Sequence, residues 1–369
     1  MDSATLENLI IKEIRKAKEI SRKDLAESLG IAKSTAGRRV DSMIERGIVQ
    51  EIGIENSNEV GRPRRFLALR GDYGGFIGFD FDARHLYVVL IDFSQAMVTR
   101  KKIRLSPNPG RGEVISLLRQ MIAEFTANSE RLRIRGIGIG VPGHINREAR
   151  IGLNYPFIED WKNIDLPEEL ALTPEFLQIE NNTRTVALGE YWLGSHAGAK
   201  HIVCLNVRTG ISAAVIANGE LLSGAHEMAG EIRGWPVPTG DREVHGVNCL
   251  ENVATVRAVT ARGETDEADW NEFVSACRGG QAEALESLSR IADYHGDTAS
   301  KMIQLLNPEV IFLSGPFTGL EDLYLDRVRR ATAVALLDHY FSPPPIKPAT
   351  FGEFAGAHGA AAMAAAGSR

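Results

Sequence analysis

Apolar residues recur at helical spacing from the start of the chain. Leu6, Leu9, Ile10, Ile14 and Ala17 fall on one face of a first helix. Ser21 stands three residues before Asp24, a capping-box-like start for a second helix. Leu25, Ala26 and Leu29 form its inner face, and Gly30 ends it. After a short turn, a third helix is predicted over 32–46, with Ala36, Val40, Met43 and Ile44 inward and Gly47 as its stop. Two helices joined by a tight turn are the sequence form of a helix-turn-helix. Apolar strands at 48–54 and 66–69 then flank a polar loop, 55–65, that ends in Gly61-Arg62-Pro63-Arg64-Arg65. This is a β-wing with a basic end.

From residue 74 the pattern changes. Strand-like runs at 76–81, 86–91 and 101–105 precede a helix at 114–127 and a strand at 134–140. A second set begins with strands at 201–206 and 212–217, the latter joined to Leu221 by an Asn218-Gly219 turn. Helices follow at 248–262 and 282–306, then a strand at 310–314 and helices at 320–337 and 354–366. Hairpins followed by a helix and a parallel strand thus occur twice. The periodicity predicts an α/β body of two lobes with a cleft between them. The expected domains are 1–70 and 74–369.

Composition sharpens this. The 369 residues suit two or three domains at about 100–200 residues each. The chain is 44% hydrophobic, enough for a sizeable core, and its 36 glycines suit many tight strand–loop connections. Net charge is −6, which excludes nucleic-acid binding by bulk charge, but the first seventy residues carry +3 and the remainder about −9. Only the head is expected to meet a polyanion. Three scattered cysteines give no disulfide framework. No signal segment and no apolar run near 18 residues is found, so the chain reads as cytosolic, with no membrane partner.

The third helix carries Lys33, Ser34, Thr35, Arg38 and Arg39 in its N-terminal half, and no acidic residue occurs from 31 to 40. Such side chains reach base edges in a major groove and neutralise phosphates. With Arg62, Arg64 and Arg65 of the wing they form the expected DNA-binding set. A three-helix cap that only packs on the body would also show a solvated basic face. The joint arrangement of helices, glycine stops and two basic elements favours DNA.

Several ordered segments of the body carry a closer resemblance. They are Gly136-Ile137-Gly138-Ile139-Gly140-Val141-Pro142-Gly143, Glu180-Asn181-Asn182, Ala187-Leu188-Gly189-Glu190, Ala229-Gly230-Glu231, Cys249-Leu250-Glu251 and Asn307-Pro308-Glu309-Val310-Ile311 with Ser314-Gly315. In order and spacing they resemble the ROK family of repressors, open reading frames and kinases, and Gly61-Arg62-Pro63 resembles the junction in its winged-helix repressors. The resemblance implies an actin/hexokinase-like (ribonuclease H-like) body behind an all-α winged helix-turn-helix with a β-wing.

The departures from the family's kinases bear on function. An Asp-x-Gly-Gly-Thr-Lys phosphate turn is replaced by Asp80-Phe81-Asp82-Ala83-Arg84-His85, without the glycines that let backbone N–H groups approach phosphate. The second phosphate turn reads Arg208-Thr209-Gly210-Ile211-Ser212-Ala213-Ala214. Asn182 stands where the kinases have their catalytic Asp, and a neutral amide is no general base near pH 7. The positions matching the family's zinc ligands are Gly234, Arg242, Val244 and Cys249, too few for a closed site. Cys249 is expected to be a buried small hydrophobe, and the nine histidines, which show no metal spacing, to be surface or packing residues. At the family's sugar-contact positions, Asn181, Asn182, Glu231 and Glu251 keep hydrogen-bonding side chains.

The sequence therefore predicts a regulator, of repressor type, with no catalytic residues, no metal and no cofactor. Its expected partners are a double-stranded DNA operator, a small carbohydrate effector and further copies of itself, as a homodimer or homotetramer. Two rivals stand beside it: an ATP-dependent sugar kinase with a winged-helix appendage, and a regulator controlled by a partner protein.

Overall fold

The computed structural model describes residues 3–55, 64–127, 132–237, 249–260, 267–336 and 342–367. The head consists of α1 (Ser3–Ala17), β1 (Ile20–Ser21), α2 (Arg22–Ser28), α3 (Lys33–Glu45), β2 (Val49–Glu55) and β3 (Arg64–Leu69). Ser21 caps α2 as its spacing implies: its Oγ accepts from Asp24 N at 3.1 Å. Strands β2 and β3 pair antiparallel, and the short β1, unforeseen from the pattern, adds to β3 through Ile20 and Ser21. Ile10, Ile14, Leu25, Val40, Met43 and Leu67 fill the centre. Of the residues expected inward, Ala17 is exposed, because α1 ends there.

The first lobe comprises β4 (Gly75–Phe81), β5 (His85–Asp92), β6 (Met97–Arg104), α4 (Arg111–Ala127) and β7 (Ile134–Val141). A small sheet of β8 (His144–Asn146), β9 (Ile151–Asn154) and β10 (Lys162–Asp165) follows. Then come α5 (Leu166–Leu170), β11 (Leu177–Asn181) and α6 (Asn182–Leu193). The main sheet runs β11-β7-β4-β5-β6, with β4–β5–β6 antiparallel and β7 and β11 parallel to β4.

The second lobe repeats this plan with β12 (Ile202–Val207), β13 (Ile211–Ala217), β14 (Glu220–Leu221), α7 (Leu250–Val253), α8 (Glu267–Arg278), α9 (Ala282–Leu306), β15 (Val310–Ser314), α10 (Glu321–Leu336) and β16 (Ile346–Pro348), and the chain then returns to the first lobe as α11 (Ala355–Gly367). Its sheet order is β14-β13-β12-β15-β16. Each lobe is a three-stranded meander whose first strand pairs in parallel with a later one, so the expected twofold repeat is present. Among the described residues no helix is long and apolar enough to cross a membrane.

The helix expected over 248–262 is much shorter. It ends at Val253 because tertiary partners take over the backbone. His295 Nε2 donates to Ala254 O (2.8 Å), and Val256 N donates to Arg208 O (3.1 Å). Thr255 between them is extended, with φ −124 and ψ 176. Burial pulls the His295 pKa down to about 4, so the ring is neutral and serves as a packing residue with Tyr324 OH on its Nδ1 (2.7 Å).

The Ala-rich α11 binds the parts together. It lies on β4 and β7 at backbone distance: a Cβ on Gly78 would sit 2.0 Å from Ala357 O, and one on Gly138 1.9 Å from Ala360 O. It shares one continuous apolar cluster with the head, which joins Leu6, Ile10 and Ile14 to Tyr87, Ala357 and Ala361. Arg15 of α1 donates from Nη1 to Ala365 O in the last turn of α11 (3.1 Å) and lies 5.5 Å over the Phe93 ring. Burial there pulls the Arg15 pKa down to about 10.

This packing generates a paired expectation. Gly138→Ala should destabilise by about 1–3 kcal/mol or more, since backbone must move. Gly136→Ala on the same strand meets its nearest atom at 3.6 Å and should be near neutral. Urea unfolding of both variants checks this, and equal losses would contradict it.

Candidate functional site

The first candidate site is the face of the head built by α3. Lys33, Ser34 and Arg38 are exposed there and Thr35 is half-buried, so four of the expected contact residues line the N-terminal half of the helix. Arg39 is placed differently. Its Nη1 pairs with Glu7 of α1 at 3.2 Å, and Glu7 also takes Arg46 at 2.8 Å. Arg39 is thus turned toward the helix packing by a carboxylate that its own sequence neighbourhood does not contain.

Arg65 is exposed but pairs with Glu51 at 2.6 Å. Arg62 lies outside the described residues, and of Arg64 only the backbone pairing with Glu55 is described. Arg22, not singled out by sequence, stitches the face together. It pairs with Asp41 (2.7 Å) and Glu51 (3.1 Å), and its Nη1 donates to Gly37 O (3.4 Å).

The second candidate site is the cleft between the lobes, about 820 Å³ of space that is partly open to solvent. Asn181, Asn182, Glu231 and Glu251 all line it. The amides come from the junction of β11 and α6, where the strand ends and Asn181 caps the helix. Asn181 Oδ1 accepts from Thr183 N (2.9 Å) and Arg184 N (3.3 Å), while its Nδ2 donates to Gly143 O (3.0 Å). Much of its hydrogen-bonding capacity is therefore spent on local structure. Asn182, 9% exposed, donates to Phe81 O at the end of β4 (3.4 Å).

The carboxylates come from the second lobe. Glu231 follows Gly230, which has φ +92 and sits where a Cβ would meet Ala213 O at 1.9 Å; only glycine fits that turn. The loop before it is anchored by the buried Arg184, which donates to Glu227 O (2.7 Å) and Ser223 O (3.2 Å) and pairs with the Glu227 carboxylate. Glu180, on the other side of Arg184 at 3.4 Å, has its pKa raised by burial. Glu251 opens α7, with its carboxylate against Gly210.

The same cleft is also lined by Asp82 and Arg208, whose polar groups are taken by the chain itself. Asp82 Oδ1 accepts from Arg84 N (2.7 Å) and His85 N (2.9 Å), so the turn's own carboxylate takes these two backbone donors. Arg208 enters from β12 and pairs with Asp80 at 2.5 Å and Asp82 at 3.8 Å. Burial pushes Asp80 up to about 6, with Arg208 opposing. Burial disfavours the charged Arg208, but Asp80 and Asp82 outweigh it and hold the guanidinium cationic. Arg208, Asp82 and Asn206 also line the cleft, and none of them is among the contact residues expected from the sequence.

Of the positions matching zinc ligands, Gly234 is exposed, Cys249 is half-buried rather than buried, and Arg242 and Val244 lie outside the described residues. Among the described residues, no three His, Cys, Asp or Glu side chains converge as a metal site would require.

Two duplicated α/β lobes around a polar cleft, with a winged helix docked on one of them, define an actin/hexokinase-like protein carrying a DNA-binding type of head. Residues 76–366 match the ROK family and residues 5–50 match the winged helix-turn-helix DNA-binding family; the chain belongs to the ROK family. It is 25% identical over 344 residues to the xylose repressor of Caldicellulosiruptor bescii, a match covering 87% of this chain and 85% of that one. It is 28% identical over 274 residues to the glucokinase of Thermotoga maritima, covering 69% of this chain and 86% of the other. The crystal structure of a ROK family transcriptional regulator, homologous to the Mlc protein of Escherichia coli, shares the fold with a TM-score of 0.77. That match is at 20% identity over 99% of this chain and 98% of that one.

Proposed function

We propose that the chain is a DNA-binding transcriptional repressor whose kinase-like body senses a sugar and transfers no phosphate. The observation that carries this reading is the asymmetry of the cleft. Asn181, Asn182, Glu231 and Glu251 line it with polar side chains, while Asp82 and Arg208, which line it too, are engaged by the chain's own groups. Phosphoryl transfer needs positioned phosphates and charge stabilisation. Here the backbone donors of Arg84 and His85 are already bonded, and Asn182 offers an amide in place of a base. Similar chains named as xylose repressors and an exposed, basic N-terminal half of α3 support the DNA-binding half of the reading.

In this reading Lys33, Ser34, Thr35 and Arg38 contact the duplex, with the wing arginines beside them. The cleft binds sugar hydroxyls through Asn182, Glu231 and Glu251, and Asn181 mainly holds the others in place. A homodimer or homotetramer matches a symmetric operator. Sugar acts on DNA affinity only by preferring one arrangement of head and body. The contact of Arg15 with the last turn of α11 lies where such a preference would be transmitted.

Two expectations follow from this reading. Arg38→Ala should weaken binding to a duplex enriched by the protein from a randomised pool, by about 1–3 kcal/mol if a base edge is lost. Arg39→Ala should mainly lower the melting temperature, through loss of the Glu7 contact. Gel-shift titrations with melting curves on both variants decide, and unchanged affinity in Arg38→Ala contradicts the placement.

The cleft is tested with a panel of free pentoses and hexoses. At least one should stabilise the wild type and release DNA, with no ADP formed when ATP is present. Glu231→Ala should weaken that sugar about tenfold or more, given roughly 1.5–3 kcal/mol for a charged hydrogen bond. Sugar-dependent ADP release overturns the non-enzyme reading. No response to any sugar overturns the sensor reading in favour of control by a partner protein.

A further inference from the structure

Arg208 crosses from one lobe to the other. Its backbone belongs to the second lobe, where its N donates to Gly210 O (2.9 Å) and its O accepts from Val256 N (3.1 Å). Its guanidinium belongs by contact to the first lobe. Nη2 donates to Asp80 Oδ2 at the end of β4 (2.5 Å), Nη1 lies 3.8 Å from Asp82 Oδ2, and the group sits 5.5 Å over the Tyr87 ring of β5. The cluster is almost dry: Arg208 is 8% exposed, Asp82 5% and Asp80 0%.

Such a cluster is a poor device for stability alone. Removing three charges from water is costly, and apolar side chains of similar volume usually stabilise as well or better. This one is also incompletely satisfied. Two carboxylates face one cation, and neither Asp80 Oδ1 nor Arg208 Nη1 has a hydrogen-bond partner among the described residues. An ionic link that is costly, unbalanced and placed between two bodies suits a contact that sets their separation.

Its position gives that separation a consequence. Arg208 lines the same cleft as Asn182 from the first lobe's side and Glu231 and Glu251 from the second. Asp80 also abuts the first turn of α11, where a Cβ on Gly356 would come within 2.2 Å of Asp80 Oδ2. The other end of that helix meets Arg15 of the head. The ion pair therefore lies at the junction of both lobes and the helix that reaches the DNA-binding domain.

We propose that Arg208 is a cross-lobe tether: through Asp80 and Asp82 it holds the cleft closed without a bound nucleotide and so positions the sugar-contact side chains of the two lobes against each other. The tether rests on the reading of this cleft as a sugar site only for its effect on affinity; the closure itself is independent of any ligand.

The test uses the full chain and the double variant Asp80→Asn/Arg208→Met, which removes both main charges and leaves no uncompensated buried arginine. Melting curves establish folding. Small-angle scattering is recorded without ligand and with Mg-ATP, and calorimetry measures affinity for D-xylose and D-glucose. The expected result is a folded double variant with a larger ligand-free radius of gyration and at least tenfold weaker affinity for whichever of the two sugars the wild type binds. Mg-ATP should leave the wild-type radius and sugar affinity unchanged. A double variant with wild-type radius and wild-type affinity would reduce Arg208 to a structural ion pair and overturn the proposal, as would closure of the wild type by Mg-ATP. If the wild type binds neither sugar, the two-sugar arm fails, and the ligand-free radius alone decides for or against the tether. Should the double variant not fold, Asp82→Asn, which keeps the turn's Oδ1 acceptor, takes its place in the same measurements.

Discussion

Close approach of α11 to glycine-bearing strands is the constraint on which the rest depends. With Gly78 and Gly138 beneath it, the helix lies against β4 and β7 with no side-chain layer between. A helix seated this deeply has little freedom to slide, because protein interiors are close-packed and resist small displacements. The same helix carries apolar residues shared with the head's core, and its first turn lies against the buried Asp80. Head, first lobe and cleft floor are therefore mechanically joined through one rod of about 20 Å, at 1.5 Å per residue over its thirteen residues. The lobes supply the chemistry, but this packing gives a change in the cleft a way to matter at α3.

Under the proposed function, the cleft departs from a nucleotide-using one by engaging its own polar groups. A phosphate turn works because backbone N–H groups are left unpaired for the ligand. In the 80–85 turn the Arg84 and His85 donors are bonded to Asp82, and Arg208 supplies a cation from within the chain. Nothing comparable has happened at Glu231 or Glu251. Their carboxylates line the cleft, and among the described residues the ion pair made by either is Glu231 with the exposed Arg233, at a long 4.0 Å.

Legibility from sequence followed physical strength. The 282–306 helix and 310–314 strand were predictable at their observed bounds, since each has a strong period and a clear stop. Helix α6 escaped because residues 182–190 are buried on every side and show no amphipathic face. The long helix expected after Cys249 failed because His295 and Arg208 claim its backbone from more than forty positions away. In the cleft, motif order located Asn181, Asn182, Glu231 and Glu251. Arg208 was invisible as a partner because Asp80 lies 128 positions earlier. Arg39 illustrates the same limit in the head: its residue type suggests DNA, while Glu7, thirty-two positions away, draws it into the packing.

If sugar and DNA compete through one conformational equilibrium, as proposed, the two affinities are linked. If a sugar lowers operator affinity by some factor, bound operator must lower sugar affinity by the same factor. Calorimetric titration of the effective sugar into the full chain, with and without a saturating enriched duplex, measures both. Equal and reciprocal factors are expected. Sugar binding with the same affinity to free and DNA-bound protein would contradict that competition.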